Sequence, residues 1–309
     1  MKAIVQGNNS PKDGKYIGNK GTGFRSILNW AKNVKILSGG FNVLFSKQIA
    51  DDFFESIKKE EQIIKQLKKK KPLYVPMLAV PKIIENSTYN DSTMIEIEID
   101  EKKQKDDFSV SKQLESIDIR ILLFLPNISK ISINTDNKNI IYKRSNLSLD
   151  KTTNELNLSD YKIKNLKKIK VEKYVNNNSE PIISEIFFVF DKIVPKKIEE
   201  DKVLKDILLS VAIPENYNDF TPKHIYCFFP LLDTESPFNC VLHASYDLND
   251  SRNSINYGDK NTIIIKEQLL FLIEIAKFYI ESNNFETAYR ILASKANYYV
   301  YLVESISLY

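Results

Sequence analysis

Tyr16-Ile17-Gly18-Asn19-Lys20-Gly21-Thr22-Gly23-Phe24-Arg25-Ser26 is the stretch on which the reading of this chain turns. Seven of the eight glycines lie in the first 40 residues, and five of those seven are in or just ahead of this run. The remaining 269 residues hold only Gly258. Permissive backbone is therefore concentrated in one loop. Phe24, Ile27, Leu28 and Ala31 fall on one helical face, so the loop is expected to open a helix over 24–31. A glycine loop entering a helix presents free backbone N–H groups and the positive end of the helix dipole. That combination suits phosphate. Lys12, Lys15 and Lys20 add cations beside it. The spacing is not that of a Walker loop, because no Gly-Lys-Ser/Thr follows, and no strand leads into it as a Rossmann fingerprint requires.

Working outward, Val34–Leu37 and Phe41–Phe45 read as strands joined at Ser38-Gly39-Gly40, a hairpin turn. Ile49, Phe53, Ile57, Ile64 and Leu67 recur at helical spacing and predict a helix over about 47–70, stopped by Pro72. Residues 93–99 alternate as a strand. A short helix is expected within 109–119, followed by a buried apolar run at Ile121–Leu125. Strands are expected at 128–133, 139–144, 166–174, 185–190, 207–213, 224–229 and 240–246, and helices at 262–281 and 285–294. The order predicts an α+β protein. Charge runs with Pro195 and Pro214 predict a boundary within 191–220, dividing a domain over 1–200, with a β-rich insertion at about 128–190, from a second over 201–309.

Composition narrows the function classes. The hydrophobic share of 43% and charged share of 27% are those of a soluble globular chain. A net charge of +4 gives no reason to invoke nucleic acid or an anionic membrane. Two cysteines, Cys227 and Cys240, make no disulfide framework and no metal spacing, which predicts a reducing, cytoplasmic setting. No apolar run approaches a membrane span. Lys68-Lys69-Lys70-Lys71 reads as a solvated helix end. His224, His243 and Trp30 read as structural.

The run Ile17-Gly18-x-Lys20-Gly21-x-Gly23-Phe24-x-Ser26 resembles the second glycine box of the GHKL ATPases, and most of all their sacsin-like branch. That superfamily includes gyrase, ninety-kilodalton heat-shock chaperones, histidine kinases and MutL. Ser10-Pro11-Lys12 is similar to the branch's lid motif. Ser92-Thr93-Met94-Ile95-Glu96-Ile97 resembles its pocket-closing strand, with Ser92 in place of glycine. Phe238 to Leu248 followed by Ser251-Arg252-Asn253 resembles its second-domain strand and S-x-R motif. The likeness covers about 1–280 in consistent order. It implies a Bergerat-type ATP fold followed by a transducer-like domain with C-terminal helices. It also implies nucleotide contacts from Ser10, Lys12, Gly18, Lys20, Gly21, Thr22, Gly23, Phe24, Ser26 and Thr93, with Arg252 reaching the γ-phosphate.

The chain departs from the family at its start. The catalytic Glu, the magnesium-binding Asn and the adenine-reading Asp precede the lid in the family, and Met1 resembles an internal position. The implied Bergerat sandwich is thus incomplete. The resemblance therefore implies ATP binding, with magnesium only once such a segment is supplied, and no hydrolysis by this chain alone. A homodimer or a complementing N-terminal segment is the implied partner. The rival expectation is a non-catalytic GHKL-type scaffold or interaction module, for instance in bacterial defence.

Overall fold

The computed structural model describes residues 31–58, 75–84, 92–100, 110–149, 163, 165–195, 206–218 and 220–293. The fold is α+β, with two sheets and two C-terminal helices. The chain divides into two compact units, Met1–Val110 and Ser111–Tyr309.

In the first unit, strands β1 (Ala31–Ser38) and β2 (Phe41–Ser46) form the expected hairpin, with Ser38 opposite Phe41. The two residues between them must both take positive φ for a tight turn of the hand that matches strand twist. Gly39 (φ 51°) and Gly40 (φ 79°) do so without a Cβ penalty. Helix α1 (Lys47–Ile57) follows, then the two-residue strand β3 (Lys82–Ile83) and strand β4 (Thr93–Ile99). The sheet order is β3-β2-β1-β4. Its small core is Val34, Ile36, Val43 and Phe45, closed by Leu78. The helix expected over 47–70 is described only to Ile57, and the rest falls outside the described residues.

Helix α2 (Val110–Glu115) begins at the boundary and runs into the second unit, where a 3-10 turn follows at Ile119–Phe124. Eight strands follow: β5 (Lys130–Asn134), β6 (Asn139–Leu147), β7 (Asn165–Val175), β8 (Ile183–Val194), β9 (Ile207–Pro214), β10 (His224–Cys227), β11 (Phe229–Glu235) and β12 (Val241–Ala244). They form one sheet in the order β11-β10-β12-β9-β8-β7-β6-β5. Every pairing is antiparallel except β10 with β12. Helices α3 (Asp259–Glu281) and α4 (Phe285–Leu292) complete it.

Both faces of this sheet are covered at its centre. Phe190, Leu209, Val211, Ile213 and Leu242 pack on one side against Ile264, Phe271, Ile275 and Phe278 of α3. On the other, Tyr142, Ile169, Phe187, Val189 and Ala212 meet Ile119 to Leu125. Double coverage explains why β9 reads as the nearly unbroken apolar run Ile-Leu-Leu-Ser-Val-Ala-Ile. The 3-10 turn is pinned by polar contacts. Asp118 caps it by accepting from the Arg120 N–H at 2.9 Å, and Tyr226 donates its hydroxyl to Asp118 at 2.8 Å. Arg120 makes a two-pronged bond to Glu185 at 2.8 and 3.0 Å and lies over the Phe220 ring.

The expected domain boundary at 200 is corrected by this topology. Residue 200 lies between β8 and β9, which pair over eight residue positions, and strands 128–190 belong to the same sheet as 207–244. The division falls instead at Val110. The segment 224–229 is likewise two strands, β10 and β11, reversed at Phe228, which takes φ 65°.

Candidate functional site

Ser10, Lys12, Gly18, Lys20, Gly21, Thr22, Gly23, Phe24 and Ser26 lie outside the described residues. The described part of the expected nucleotide site is its wall. β1, the strand that follows the glycine box in the chain, is hydrogen-bonded along its length to β4. Thr93 is exposed, stands opposite Ser38, and its hydroxyl lies 2.6 Å from that of Ser38. At the other end, Ala31 faces Ile99. Seven residues separate the two ends, about 23 Å at strand rise. Chain leaving the glycine box thus enters the sheet at the end remote from Thr93. Along the shared edge, Lys32 pairs with Glu98 at 2.7 Å and Lys35 with Glu96 at 3.4 Å. Lys32 and Asn33 hold the Glu98 carboxyl below the usual carboxylate range by hydrogen bonding.

Arg252 sits in the second unit, on a loop between β12 and α3. It is half-buried and takes φ 60°, a conformation uncommon for a residue with a Cβ. Three asparagine side chains build the loop. Asn249 accepts from the backbone N–H of Asn253 at 3.1 Å and Ser254 at 3.4 Å. Asn256 donates to the Asp247 carboxylate at 3.1 Å and the Leu248 carbonyl at 2.9 Å. Asn261, only 3% exposed, donates to the carbonyls of Asp247 and Asn256, both at 2.7 Å, and accepts from the Asp247 N–H at 2.8 Å. The Arg252 N–H closes onto the Asn249 carbonyl, and the Asp233 N–H of β11 ties the loop to the sheet through the Asn253 carbonyl. Sequence reasoning missed this framework. Its signal was the asparagine spacing in 249–261, which reads as surface composition until the side chains are seen replacing backbone partners.

A second polar group crosses the sheet, with Asp191, Ser210 and His243 in register on β8, β9 and β12. These residue types suggest a nucleophilic triad, but their connections exclude one. Such a triad needs the imidazole between serine and carboxylate. Here Ser210 donates directly to Asp191 at 2.7 Å, and Lys167 holds the other carboxylate oxygen at 2.8 Å. His243 is 1% exposed, stacked on Phe124 and edge-on to Phe228, with no hydrogen-bond partner at either ring nitrogen. Burial pushes its pKa down to about 4. It is a neutral core ring.

Cys240 is buried, and burial pushes its thiol well up. Cys227 is half-buried, with its thiol 4.0 Å from the Tyr246 carbonyl, and the two cysteines are not joined in a disulfide. Among the described residues, no three His, Cys, Asp or Glu side chains gather as a metal site. A cleft of about 330 Å³ is lined by Asn146, Leu147, Leu149, Leu166, Lys167 and Lys168, none of them a sequence-predicted site residue. No described helix is long and apolar enough to cross a membrane. Thr93 and Arg252 belong to different units. The chain matches no protein-family model and no curated protein.

Proposed function

We propose that this chain is the ATP-lid and phosphate-binding portion of a GHKL-type ATPase of the sacsin-like branch, acting in the cytoplasm, with its eight-stranded unit as the transducer. The observation that carries the reading is the pairing of β1 with β4. β1, which follows the glycine box in the chain, is hydrogen-bonded to β4, the strand that carries the pocket-closing motif. The asparagine-built loop adds support, because it holds Arg252 in a fixed and uncommon backbone conformation. Backbone N–H groups of the glycine box cradle the phosphates, and Lys20 neutralises them.

Titration of the full chain with a fluorescent ATP analogue, with and without magnesium, tests the reading. Gly21→Ala adds a Cβ where the backbone must approach phosphate, and is expected to weaken binding at least tenfold. Unchanged affinity would sink the cradle assignment. Absence of binding by the unaltered chain would leave the scaffold role as the better account.

A further inference from the structure

The net charge of +4 is held unevenly. Residues 129–176 contain ten lysines and one arginine against five acidic residues, so this span alone carries +6. It supplies β5, β6 and β7, the three strands at one end of the eight-stranded sheet. The core that includes α3 and α4 draws no residue from β5 or β6, so the helices leave that end of their side of the sheet uncovered.

On this side, register sets Lys130 opposite Lys143, and Lys143 opposite Glu172. Lys170 and Lys168 follow at every second residue of β7 and share the face. The Arg144 N–H donates to the Ser129 carbonyl at 2.8 Å. The adjoining Lys130–Lys143 pair is therefore the kind without mutual backbone hydrogen bonds, in which side chains stand closest. Like charges directly opposite one another destabilise a sheet. The carboxylates that could relieve them are taken, because Glu172 pairs with Lys170 and Glu215 with Lys168, both at 2.6 Å. Lys143 lies instead over the Tyr174 ring, 4.5 Å from its centroid. Lys130 and Lys143 are both exposed, and neither forms an ion pair among the described residues. Two unpaired lysines held side by side cost stability in the free protein and suit a polyanion.

The surroundings discriminate among polyanions. No exposed large apolar side chain stands on β5, β6 or β7, so nothing there would insert into a lipid surface. Register puts Tyr174, Ser132 and Ser145 on the same face as the lysines. A ring beside cations and hydroxyls can take a stacked base together with its phosphates, whereas an acidic peptide would use the cations alone. A face three strands wide is too broad for a duplex groove that admits a two-stranded ribbon. We propose that the uncovered face of β5–β7 binds single-stranded nucleic acid, with Lys130 and Lys143 on phosphates and Tyr174 against a base.

Fluorescence anisotropy of a labelled oligothymidylate of about 20 nucleotides, titrated with the full chain between about 50 and 200 mM salt, tests this. Lys130→Thr with Lys143→Thr replaces the like-charge pair by a cross-strand threonine pair that suits a sheet, so folding is retained. It is expected to weaken binding at least tenfold at the lower salt. It should also reduce the slope of log affinity against log salt by about 1.4, the share of two phosphate contacts on a single strand. Tyr174→Ala should weaken binding about fivefold or more with little change of slope. Lys266→Thr with Lys277→Thr removes the same charge from α3 and should leave binding as it was. Equal weakening by that α3 variant would overturn the proposal, and so would absence of binding by the unaltered chain. Tighter binding of the matching duplex would assign the face to double strands instead. Complete displacement of the oligonucleotide by polyglutamate at equal charge would assign it to acidic peptides.

Discussion

His243→Leu is the most informative single substitution for the second unit. The wild-type ring is stacked 4.7 Å from Phe124, and both its nitrogens are buried without a partner. A buried polar group left unpaired costs about 1–3 kcal/mol. Leucine is close in volume, keeps the apolar contacts and removes the unpaired atoms, so the variant should be more stable at neutral pH by about 1–2 kcal/mol. The pH dependence is the sharper measure. The imidazole has a folded pKa of about 4 and an unfolded one near 6.5. Between those values the unfolded chain binds a proton that the folded chain does not, so wild-type stability falls as pH falls. At about 1.36 kcal/mol per unit, the loss approaches 3 kcal/mol by pH 4 and levels off below it, where the folded ring also protonates.

The variant lacks that slope. Its advantage over wild type should widen by about 3 kcal/mol from pH 7 to pH 4. Other titrating groups are common to both proteins and cancel in the difference. Urea unfolding followed by circular dichroism at several pH values supplies the curve, with the effect confined to the transition of the 111–309 unit. With only two histidines in the chain, proton NMR reads the imidazole directly. A constant gap between variant and wild type across this range, or a His243 ring that titrates near 6.5, would refute the buried neutral ring.

Two further substitutions probe the polar fastenings. Arg120→Ala removes both prongs to Glu185 and leaves that carboxylate, 26% exposed, facing the core edge alone. A loss of about 2–3 kcal/mol is expected in denaturant unfolding, and Arg120→Lys should recover part of it, because a point charge cannot replace the fork. Asn261→Ala strips three hydrogen bonds from the Arg252 loop, those to the Asp247 N–H and to the Asp247 and Asn256 carbonyls, although the Asp247 carbonyl keeps the Asn256 N–H. It should cost about 2–4 kcal/mol and speed proteolytic cleavage within 247–258, whereas Asn249→Ala should loosen only the tip.

Most elements were legible because their signals are local. The Gly39-Gly40 turn, the alternation of 93–99 and the double-sided apolar run of β9 each need no distant partner to be read. The domain boundary was not legible for the opposite reason. Pro195 and the charged residues after it look like a linker in the sequence, and only the pairing of Phe187–Val194 with Ile207–Pro214 shows that the flanking strands are neighbours in one sheet. β11 was hidden by Pro230 and by a reversal at Phe228 that carries no glycine. At the candidate site, Thr93 was legible as part of a strand, but its position beside Ser38 depends on register, which one strand cannot specify. Arg252 was legible as a motif, and the asparagines that fix it were not.

Those asparagines bear on how the second unit presents Arg252. A backbone at φ 60° costs an arginine of order 1 kcal/mol, and a loop of that length would otherwise sample many conformations. Asn249, Asn256 and Asn261 offset both costs within the folded unit, before any ligand arrives. A cation held this way loses little freedom on meeting a phosphate, so its contribution is electrostatic rather than spent on ordering. The glycine box has the opposite character by composition, since glycine gives up the most backbone entropy on becoming fixed. The boundary at Val110, rather than at 200, keeps every strand that supports the arginine loop in a single sheet.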